Sequence, residues 1–263
     1  MEEITDIQNK FDSSYYDEKY FSDPKGKKFR RPDGSISNWG YQNLTGEWLG
    51  CKPITEAWKN LFKLEKCNTD SGLCKILDVG CGRGQFVTYL RDIGIEAWGF
   101  DYSSWAIENL YPRCEKGWIR SHDATQIWPY GDKVFDLVIA LDLFEHIYLE
   151  DIDKVINEMY RVTKKYIFLQ IATIGGGSGS GLHNDGYVLK RGDNIPIELE
   201  GMAVAGHVTV QDRQFWIDKL NNFDKNNKFR FRHDKVSEFI KKVPTDVISN
   251  WVKNTLLVLE RIN

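Results

Sequence analysis

The sequence predicts an α/β fold in which a mostly parallel sheet carries helices on both faces. Between residues 75 and 172, short apolar segments alternate with segments whose apolar residues recur at helical spacing, which is typical of βαβ units. The apolar segments are nearly continuous hydrophobic runs, as strands covered on both faces are. Three glycines, Gly80, Gly82 and Gly84, follow the first run, where a tight turn from strand to helix needs their backbone freedom.

The first 50 residues are predicted to form an arm or cap, because they are rich in aromatic residues, glycine and charge but show weak periodicity. A short helix is predicted around residues 13–21. The basic run at residues 25–31 is predicted to be a solvated loop, with phosphate binding as the alternative.

From residue 53 onward the elements of the sheet can be predicted in order. Ile54, Trp58 and Leu61 recur at helical spacing and predict a helix over residues 54–64. The alternation then predicts a strand at 75–79, a helix at 86–93, a strand at 97–100, a helix at 103–110 and a short strand at 117–120. Ser103 or Ser104 is expected to cap the second of these helices, because a serine oxygen can accept from a free N–H group there.

The second half of the alternation predicts a strand at 135–141, a helix at 152–162 and a strand at 166–172. A tract of glycines and serines follows at residues 175–181. It lacks the ending of a P-loop, so we interpret it as the hinge of a lid or as a disordered loop. The remaining elements are predicted as a helix at 211–220, an edge strand at 228–232 and a last strand at 256–262. The chain therefore divides into the arm at 1–50 and a main domain at 51–263, with a lid-like insertion at 173–206.

Composition and charge argue against several classes of function. The 263 residues carry a formal net charge of -3, whereas proteins that bind DNA usually have a basic excess. No apolar run approaches the length of a membrane span, and the acidic N-terminus does not resemble a signal peptide. The five cysteines form no CxxC pair, which predicts reduced thiols and a cytoplasmic location. We expect no DNA, membrane or metal partner, and the sequence predicts no oligomeric state.

The glycine turn predicts a ligand site. In an open parallel sheet, ligands bind beyond the carboxyl ends of the strands, where helix N-termini offer free N–H groups. Asp101 ends the next predicted strand, and a carboxylate there can accept from two ribose hydroxyls. Both NAD and an adenosyl ligand carry such a ribose. The third small residue of the dinucleotide fingerprint would fall at position 85, which is Gln85, so an NAD enzyme is disfavoured.

At this point the motifs resemble a known family. Residues 78–84, DVGCGRG, resemble motif I of the class I S-adenosylmethionine-dependent methyltransferases. Three further blocks follow in the family's order, at residues 99–101 (GFD), 122–124 (HDA) and 135–146 (FDLVIALDLFEH). The resemblance covers roughly residues 55–172. It implies a Rossmann-like, doubly wound sheet of seven mostly parallel strands and a methyltransferase that uses S-adenosyl-L-methionine and releases S-adenosyl-L-homocysteine.

The resemblance also implies a set of cofactor contacts. Gly80 and Gly82 would approach the amino-acid end of the cofactor. Asp78 would hold the turn and the ammonium group, and Asp101 would bind the ribose. Tyr102 would pack on the adenine, and Asp123 would accept from the adenine amino group. The full implied set is Asp78, Gly80, Cys81, Gly82, Gly84, Asp101, Tyr102, Asp123, Ala124, Leu141 and Asp142. Two members have structural alternatives: Asp123 could cap the next segment, and Tyr102 could belong to the core.

Transfer to an oxygen usually needs a base, and histidine suits that task near neutral pH. His207 is the first candidate, because Gly-His-Val before an aromatic helix is similar to a block of small-molecule and sugar methyltransferases. His146, just past the fourth strand, is the second, and His183 is a weaker one. Asp142, Glu145 and His146 would form a partial metal set, but their spacing is not diagnostic.

The acceptor is the least determined part of the sequence-based prediction. The fourth block lacks the Asp/Asn-Pro-Pro-Tyr/Phe motif of amino-methylating DNA enzymes. Aromatic residues in the arm suit sugar or ring faces, so we expect a small-molecule acceptor oxygen, on a saccharide or a biosynthetic intermediate. The alternatives are a methyltransferase acting on protein or tRNA, with the basic run as docking surface, and a non-catalytic protein that binds S-adenosylmethionine.

Overall fold

The structure, a computed structural model, describes residues 11–21, 26–40, 50–65, 73–174, 185–226, 228–244, 247 and 255–262. In these segments the strands are, in chain order, β1 (Lys27–Arg30), β2 (Ile36–Trp39), β3 (Lys75–Val79), β4 (Glu96–Asp101), β5 (Ile119–Ser121), β6 (Phe135–Leu141), β7 (Thr163–Gln170), β8 (Tyr187–Val188), β9 (Thr209–Val210), β10 (Phe229–Phe231) and β11 (Leu256–Arg261). The α-helices are α1 (Glu18–Phe21), α2 (Cys51–Phe62), α3 (Gln85–Asp92), α4 (Ser104–Glu108), α5 (Ile152–Val162), α6 (Ile197–Ala203), α7 (Arg213–Phe223) and α8 (His233–Lys242).

Seven strands form the central sheet, in the order β10-β11-β7-β6-β3-β4-β5. The pairs from β7 to β5 are all parallel, whereas β11 runs antiparallel to both of its neighbours. The order reverses at β3, which lies between β4 and β6. Crevices for ligands form at such a switch point, so this topology places the predicted ligand turn where a site is expected.

Helices cover both faces of the sheet. One face packs against α2, α3 and α8 through a core that includes Trp58, Leu90 and Phe239, and the other packs against α5 and α7 through Met159 and Trp216. All five of these side chains are at most 2% exposed. The prediction of a doubly wound, Rossmann-like, mostly parallel seven-stranded sheet with helices on both faces is therefore confirmed.

Most predicted elements of the sheet are present, with ends that shift by a few residues. The strands at 75–79 and 135–141 and the helix at 152–162 have the predicted bounds. Ser103 is the N-cap of α4, because its hydroxyl oxygen accepts from the N–H of Ala106 at 3.0 Å. The predicted edge strand is β10, which pairs only with β11 among the described strands.

Two predictions for the arm need correction, and two helices elsewhere in the chain were not predicted. The helix expected around residues 13–21 is only the single turn Glu18–Phe21. The basic run predicted as a loop contains β1, which pairs with β2 in an antiparallel hairpin. Helices α6 and α8 were not predicted. The glycine tract at 175–181 and His183 lie outside the described residues.

The arm and the insertion pack together in a third, smaller core over the pocket. The hydroxyls of Tyr15 and Tyr20 donate to the backbone oxygens of Val204 and Ala205, at 2.7 and 3.0 Å. The guanidinium of Arg30 in β1 pairs with the buried carboxylate of Glu200 in α6, with Nη2 and Oε1 2.5 Å apart. Segments almost two hundred residues apart in sequence therefore form one cap.

The cysteines differ from the prediction of reduced thiols. Cys51, Cys81 and Cys114 are reduced thiols, but Cys74 is disulfide-bonded, so the prediction is wrong at that position. Disulfides persist mainly in oxidising compartments, so the cysteines no longer support the predicted cytoplasmic location. Among the described helices, none combines the length and the apolar character that crossing a membrane requires.

Candidate active site

A pocket with a volume of about 980 Å³ opens at the carboxyl ends of β3, β4 and β6. Of the eleven residues expected to contact the cofactor, ten line this pocket; the exception is Gly84. His146 lines the pocket as well, whereas His207 does not. The structure thus brings together residues from four blocks that are well separated in sequence.

The glycine turn after β3 needs glycine for two physical reasons. Gly80 and Gly84 have φ angles of +75° and +84°, which side-chain-bearing residues rarely adopt. A Cβ atom at Gly84 would lie 2.7 Å from the sulfur of Cys114. Gly84 thus lets α3 start close to Cys114, behind the turn, which explains its place outside the pocket wall.

Asp101 at the end of β4 connects two parts of the pocket wall. One of its carboxylate oxygens accepts from the N–H of Gly82 and the other from the N–H of Ser103, both at 2.8 Å. Burial raises the pKa of Asp101, while these backbone donors lower it. The carboxylate is therefore fixed between the turn and α4, at the edge of the pocket.

Asp78 is the most deeply buried carboxylate of the turn, with 3% of its surface exposed. Burial, followed by the charge of nearby Asp101, raises the pKa of Asp78 to about 8. Asp78 is therefore mostly protonated at pH 7. A cation bound beside it would favour the ionised form.

Farther along the chain, two more residues line the pocket: Tyr102 is 37% exposed, and Asp123 caps the turn that follows it. Its Oδ1 accepts from both the N–H and the hydroxyl of Thr125, each at 2.8 Å. The structural alternative expected for Asp123 is thus present. It does not remove the residue from the site, because Asp123, Thr125 and Ala124 all line the pocket.

The other end of the pocket begins at Leu141 and Asp142, after β6. Asp142 has a φ angle of +49°, a strained conformation for a residue with a side chain. Both of its oxygens lie 3.1 Å from Nε2 of Gln170. Burial raises the pKa of Asp142 to about 6. Gln170 was missed by the sequence analysis, although a polar residue near the end of a buried strand is a recognisable signal.

Two histidines lie next to this end of the pocket. The rings of His146 and His207 are perpendicular, with centroids 4.9 Å apart. His146 faces the pocket, whereas His207 is 3% exposed and lies behind it. Burial lowers the pKa of His146 to about 4, so its imidazole is neutral at neutral pH. Gly206 permits this packing, because a Cβ there would lie 2.9 Å from both Nδ1 of His146 and the hydroxyl of Tyr16.

Glu145 completes a buried cluster with the two histidines. Its side chain is fully buried, and its Oε1 accepts from the N–H of Ala172 at 3.1 Å. Burial, and then the charge of Asp142, raises the pKa of Glu145 well above its usual range. One nitrogen of each histidine and one oxygen of Glu145 lie within 4.8 Å of one another.

Aromatic residues of the arm line the pocket, and one of them lies beside His146. Phe11, Tyr16, Tyr20 and Phe21 all contribute to the wall, and the ring centroid of Tyr16 lies 6.0 Å from that of His146. The high aromatic content of the arm signalled this role, but the sequence could not indicate which rings face the pocket.

Comparisons with known proteins agree with this geometry. Residues 77–168, about a third of the chain, match a family model described as "Methyltransferase domain". No match was found among curated protein sequences.

Several solved structures are similar to this chain, and three of them illustrate the range. The plantazolicin methyltransferase BpumL, in complex with a monoazolic desmethylPZN analog and SAH, is 14% identical, with 82% of this chain and 84% of that chain covered and a TM-score of 0.53. A SAM-dependent methyltransferase from Archaeoglobus fulgidus is 14% identical, with 80% and 94% covered and a TM-score of 0.49. The PH0226 protein from Pyrococcus horikoshii OT3 is 27% identical, with a TM-score of 0.36. That match covers 44% of this chain and only 56% of the length of PH0226.

The likeness to BpumL shows the fold, and the family match identifies the segment that carries the glycine turn, Asp101 and His146. Residues 77–168 therefore resemble a methyltransferase domain, within a fold that BpumL shares.

Proposed function

We propose that this chain is an S-adenosylmethionine-dependent methyltransferase and that it transfers the methyl group to an oxygen atom of a small molecule. The observation that carries the proposal is the position of His146, in the pocket wall beyond the cofactor residues and close to the aromatic arm. The pocket volume of about 980 Å³ lies at the upper end of the range of about 300–1,000 Å³ for ligand pockets. This volume leaves room for a small acceptor beside the cofactor.

The cofactor would lie across the glycine turn. Asp101 would accept from the ribose hydroxyls with the lone pairs that its two backbone partners leave, and Gly80 and Gly82 would let the methionine portion approach the backbone. The ammonium group would lie beside Asp78 and favour its ionised form. The opposite wall, with Tyr102 and the segment 123–124, would hold the adenine.

The remaining cofactor residues would shape the methionine end. Leu141 and Asp142 would border the sulfur side, and Cys81 would form part of the turn, where its N–H donates to the backbone oxygen of Phe100 at 3.1 Å. Gly84 would act indirectly, since it allows α3 to begin next to the turn. These contacts are the ones that the resemblance implies.

The chemistry requires alignment more than activation of the methyl group, because a sulfonium methyl is already electrophilic. The acceptor oxygen attacks the methyl carbon in line with the carbon–sulfur bond, that bond breaks, and the acceptor loses its proton. The neutral imidazole of His146 has a lone pair that can accept a proton or bind a cation. His207 would act as a positioning residue, because its ring packs against His146 from behind.

The acceptor would be a compact molecule with ring faces, such as a saccharide or a biosynthetic intermediate. Tyr16 and Tyr148 line the pocket, and side chains that combine a ring with a hydroxyl suit partly polar rings. The alternative of an RNA acceptor finds less support. In the basic run, Lys27 pairs with Asp17 and Arg30 pairs with Glu200, so these cations already serve the cap.

Replacement of His146 tests this proposal. Small-molecule acceptors are screened with methyl-labelled S-adenosylmethionine, and His146→Ala is compared with wild type on the best acceptor. We expect turnover to fall by about 10²- to 10⁴-fold, while S-adenosylhomocysteine affinity changes by less than about threefold. His233→Ala, on the exposed start of α8, is the matched control. Wild-type turnover in His146→Ala, or labelling of tRNA or protein instead of small molecules, would contradict the proposal.

A further inference from the structure

We propose that Glu145, His146 and His207 form a binding site for a divalent transition-metal ion at the acceptor end of the pocket. The three side chains come from the segment after β6 and from the loop before β9, and their ligand atoms lie within 4.8 Å of one another. Glu145 and His207 are buried, and His146 lies in the pocket wall. An ion at this position would be held by protein on one side and open to the pocket on the other.

Two buried polar atoms of this cluster, Oε2 of Glu145 and Nδ1 of His146, accept no hydrogen bond from any donor in the described part of the chain. Leaving such an atom buried and unsatisfied costs about 1–3 kcal/mol, and more for a charged group. A carboxylate oxygen offers lone pairs, and so does Nδ1 of a neutral imidazole that carries its proton on Nε2. A metal cation would satisfy both atoms at once.

The charge of the surroundings favours a cation as well. Asp142 adds a second buried carboxyl group, which shares a side-chain hydrogen bond with Glu145, so a cation here would take the place of the proton between them. Among the described residues, no lysine or arginine forms an ion pair with either carboxylate, although fourteen such pairs occur elsewhere. Gln170 provides only an uncharged donor to Asp142. Buried carboxylates are normally paired or bound to metal.

The ligand types indicate which metal the site would take. Two imidazoles and one carboxylate suit Mn²⁺, Fe²⁺ or Zn²⁺, whereas Mg²⁺ and Ca²⁺ prefer oxygen ligands alone. Ligand atoms about 2.0–2.2 Å from an ion can be at most about 4.4 Å apart. The observed spread of up to 4.8 Å therefore needs to contract by a few tenths of an ångström, which small side-chain rotations can provide.

The site would deepen the proposed function, and its catalytic role rests on that function. An ion with open positions toward the pocket would bind the acceptor's hydroxyl oxygen and lower its pKa, as bound metals do for water. The proton would then leave to solvent, and the oxygen would be held for transfer. His146 would serve as a ligand, with its lone pair on the metal. Ion binding itself does not depend on methyl transfer.

The test measures binding of Mn²⁺ and Mg²⁺ to untagged full-length protein that has been treated with a chelator and dialysed. We expect one Mn²⁺ to bind per chain, as measured by calorimetry and by the loss of the electron paramagnetic resonance signal of free Mn²⁺. Mg²⁺ should bind at least tenfold more weakly. Glu145→Gln and His207→Ala should each weaken Mn²⁺ binding at least tenfold. His233→Ala should bind as wild type does. Should the buried His207 variant fail to fold, His146→Ala, at the pocket wall, takes its place.

Absence of stoichiometric Mn²⁺ binding to wild type, or unchanged binding in all the cluster variants, would overturn the metal site. S-adenosylhomocysteine binding is measured on the same samples. If that compound binds and Mn²⁺ does not, the metal site fails and the proposed function stands. If Mn²⁺ binds and the compound does not, the proposed function fails and the metal site stands.

Discussion

At the scale of single residues, Asp101 has two tasks, because its oxygens hold the glycine turn and the start of α4 while facing the pocket. Asp101→Asn keeps the volume but replaces one acceptor oxygen with a donor. Hydrogen bonds to charged groups contribute about 1.5–3 kcal/mol, so we expect S-adenosylhomocysteine to bind about 10- to 100-fold more weakly. Calorimetry measures the affinity.

The matched control for Asp101→Asn is Asp153→Asn, which removes a carboxylate that pairs with Lys219 away from the pocket. It should leave the affinity unchanged. Asp101→Ala should weaken binding similarly and also lower the melting temperature, because both backbone donors lose their acceptor. Wild-type affinity in Asp101→Asn would exclude this carboxylate from the ribose site.

Asp78 affects stability and cofactor binding in opposite directions, because the folded chain favours its protonated form and an ammonium group favours its ionised form. Its pKa is about 8 in the folded chain and about 3.9 in an unfolded chain. The folded state therefore favours the protonated form, so this contribution to stability is complete below about pH 4 and is lost as the pH rises toward 8. Asp78→Asn should raise the melting temperature at pH 8 by about 2 °C or more, and by less at pH 5. Calorimetric melts at the two pH values measure this difference.

The same pKa predicts that cofactor binding releases a proton. An ammonium group beside Asp78 favours the ionised carboxylate, so S-adenosylmethionine should bind more tightly as the pH rises toward 8. Titrations at pH 7 in buffers of different ionisation enthalpy count the released protons, and Asp78→Asn is expected to release fewer. An equal proton release by both proteins would show that Asp78 does not meet the ammonium group.

At the scale of elements, the contact between β1 and α6 holds the cap over the pocket. Arg30→Met removes the cation from Glu200, a residue that is only 2% exposed, and breaking a pair at one buried partner is destabilising. We expect a lower melting temperature, faster proteolysis of the arm and a higher KM for the acceptor. Arg31→Met is the matched control, because the guanidinium of Arg31 donates to Ser37 on the exposed side of the hairpin. Equal behaviour of the two variants would mean that the ion pair does not hold the cap.

The sequence predicted those elements in which the hydrophobic pattern directly reflects which residues are buried. β6 has six consecutive buried residues, so its apolar run could hardly be misread. The hairpin was missed because Lys27 looked like a surface charge. Its stem is buried, and its ammonium lies 4.7 Å from the ring of Tyr15 and 2.8 Å from Asp17. Helix α8 was missed because only Val236 and Phe239 are buried in it, which leaves a weak helical period.

At the scale of the whole molecule, the topology explains why residues at the ends of the sheet strands could be predicted to lie together and why the place of His207 could not. Residues 78–84, Asp101 and Asp142 lie at or just beyond the carboxyl ends of neighbouring parallel strands. Such ends meet at one edge of the sheet, so these residues come together there. The place of His207 depends on how the insertion packs against the arm, through contacts such as Tyr15 with Val204. No periodicity encodes such contacts, so the sequence could not show that His207 lies behind His146.

Because the pocket is built from the centre of the sheet, from α4 and from the cap, a ligand there should stabilise the whole fold. A ligand that binds only the folded state stabilises it by RT ln(1 + [L]/Kd), which is about 4.1 kcal/mol at a thousandfold excess over Kd. For a chain of this size each 1 kcal/mol raises the melting temperature by about 2–4 °C. Saturating S-adenosylhomocysteine should therefore raise it by about 8 °C or more. NAD, which shares the adenosine but not the amino-acid end, is the matched control and should give little shift. An equal shift with NAD would locate the specificity in the adenosine half alone, and no shift with either compound would mean that neither binds this pocket.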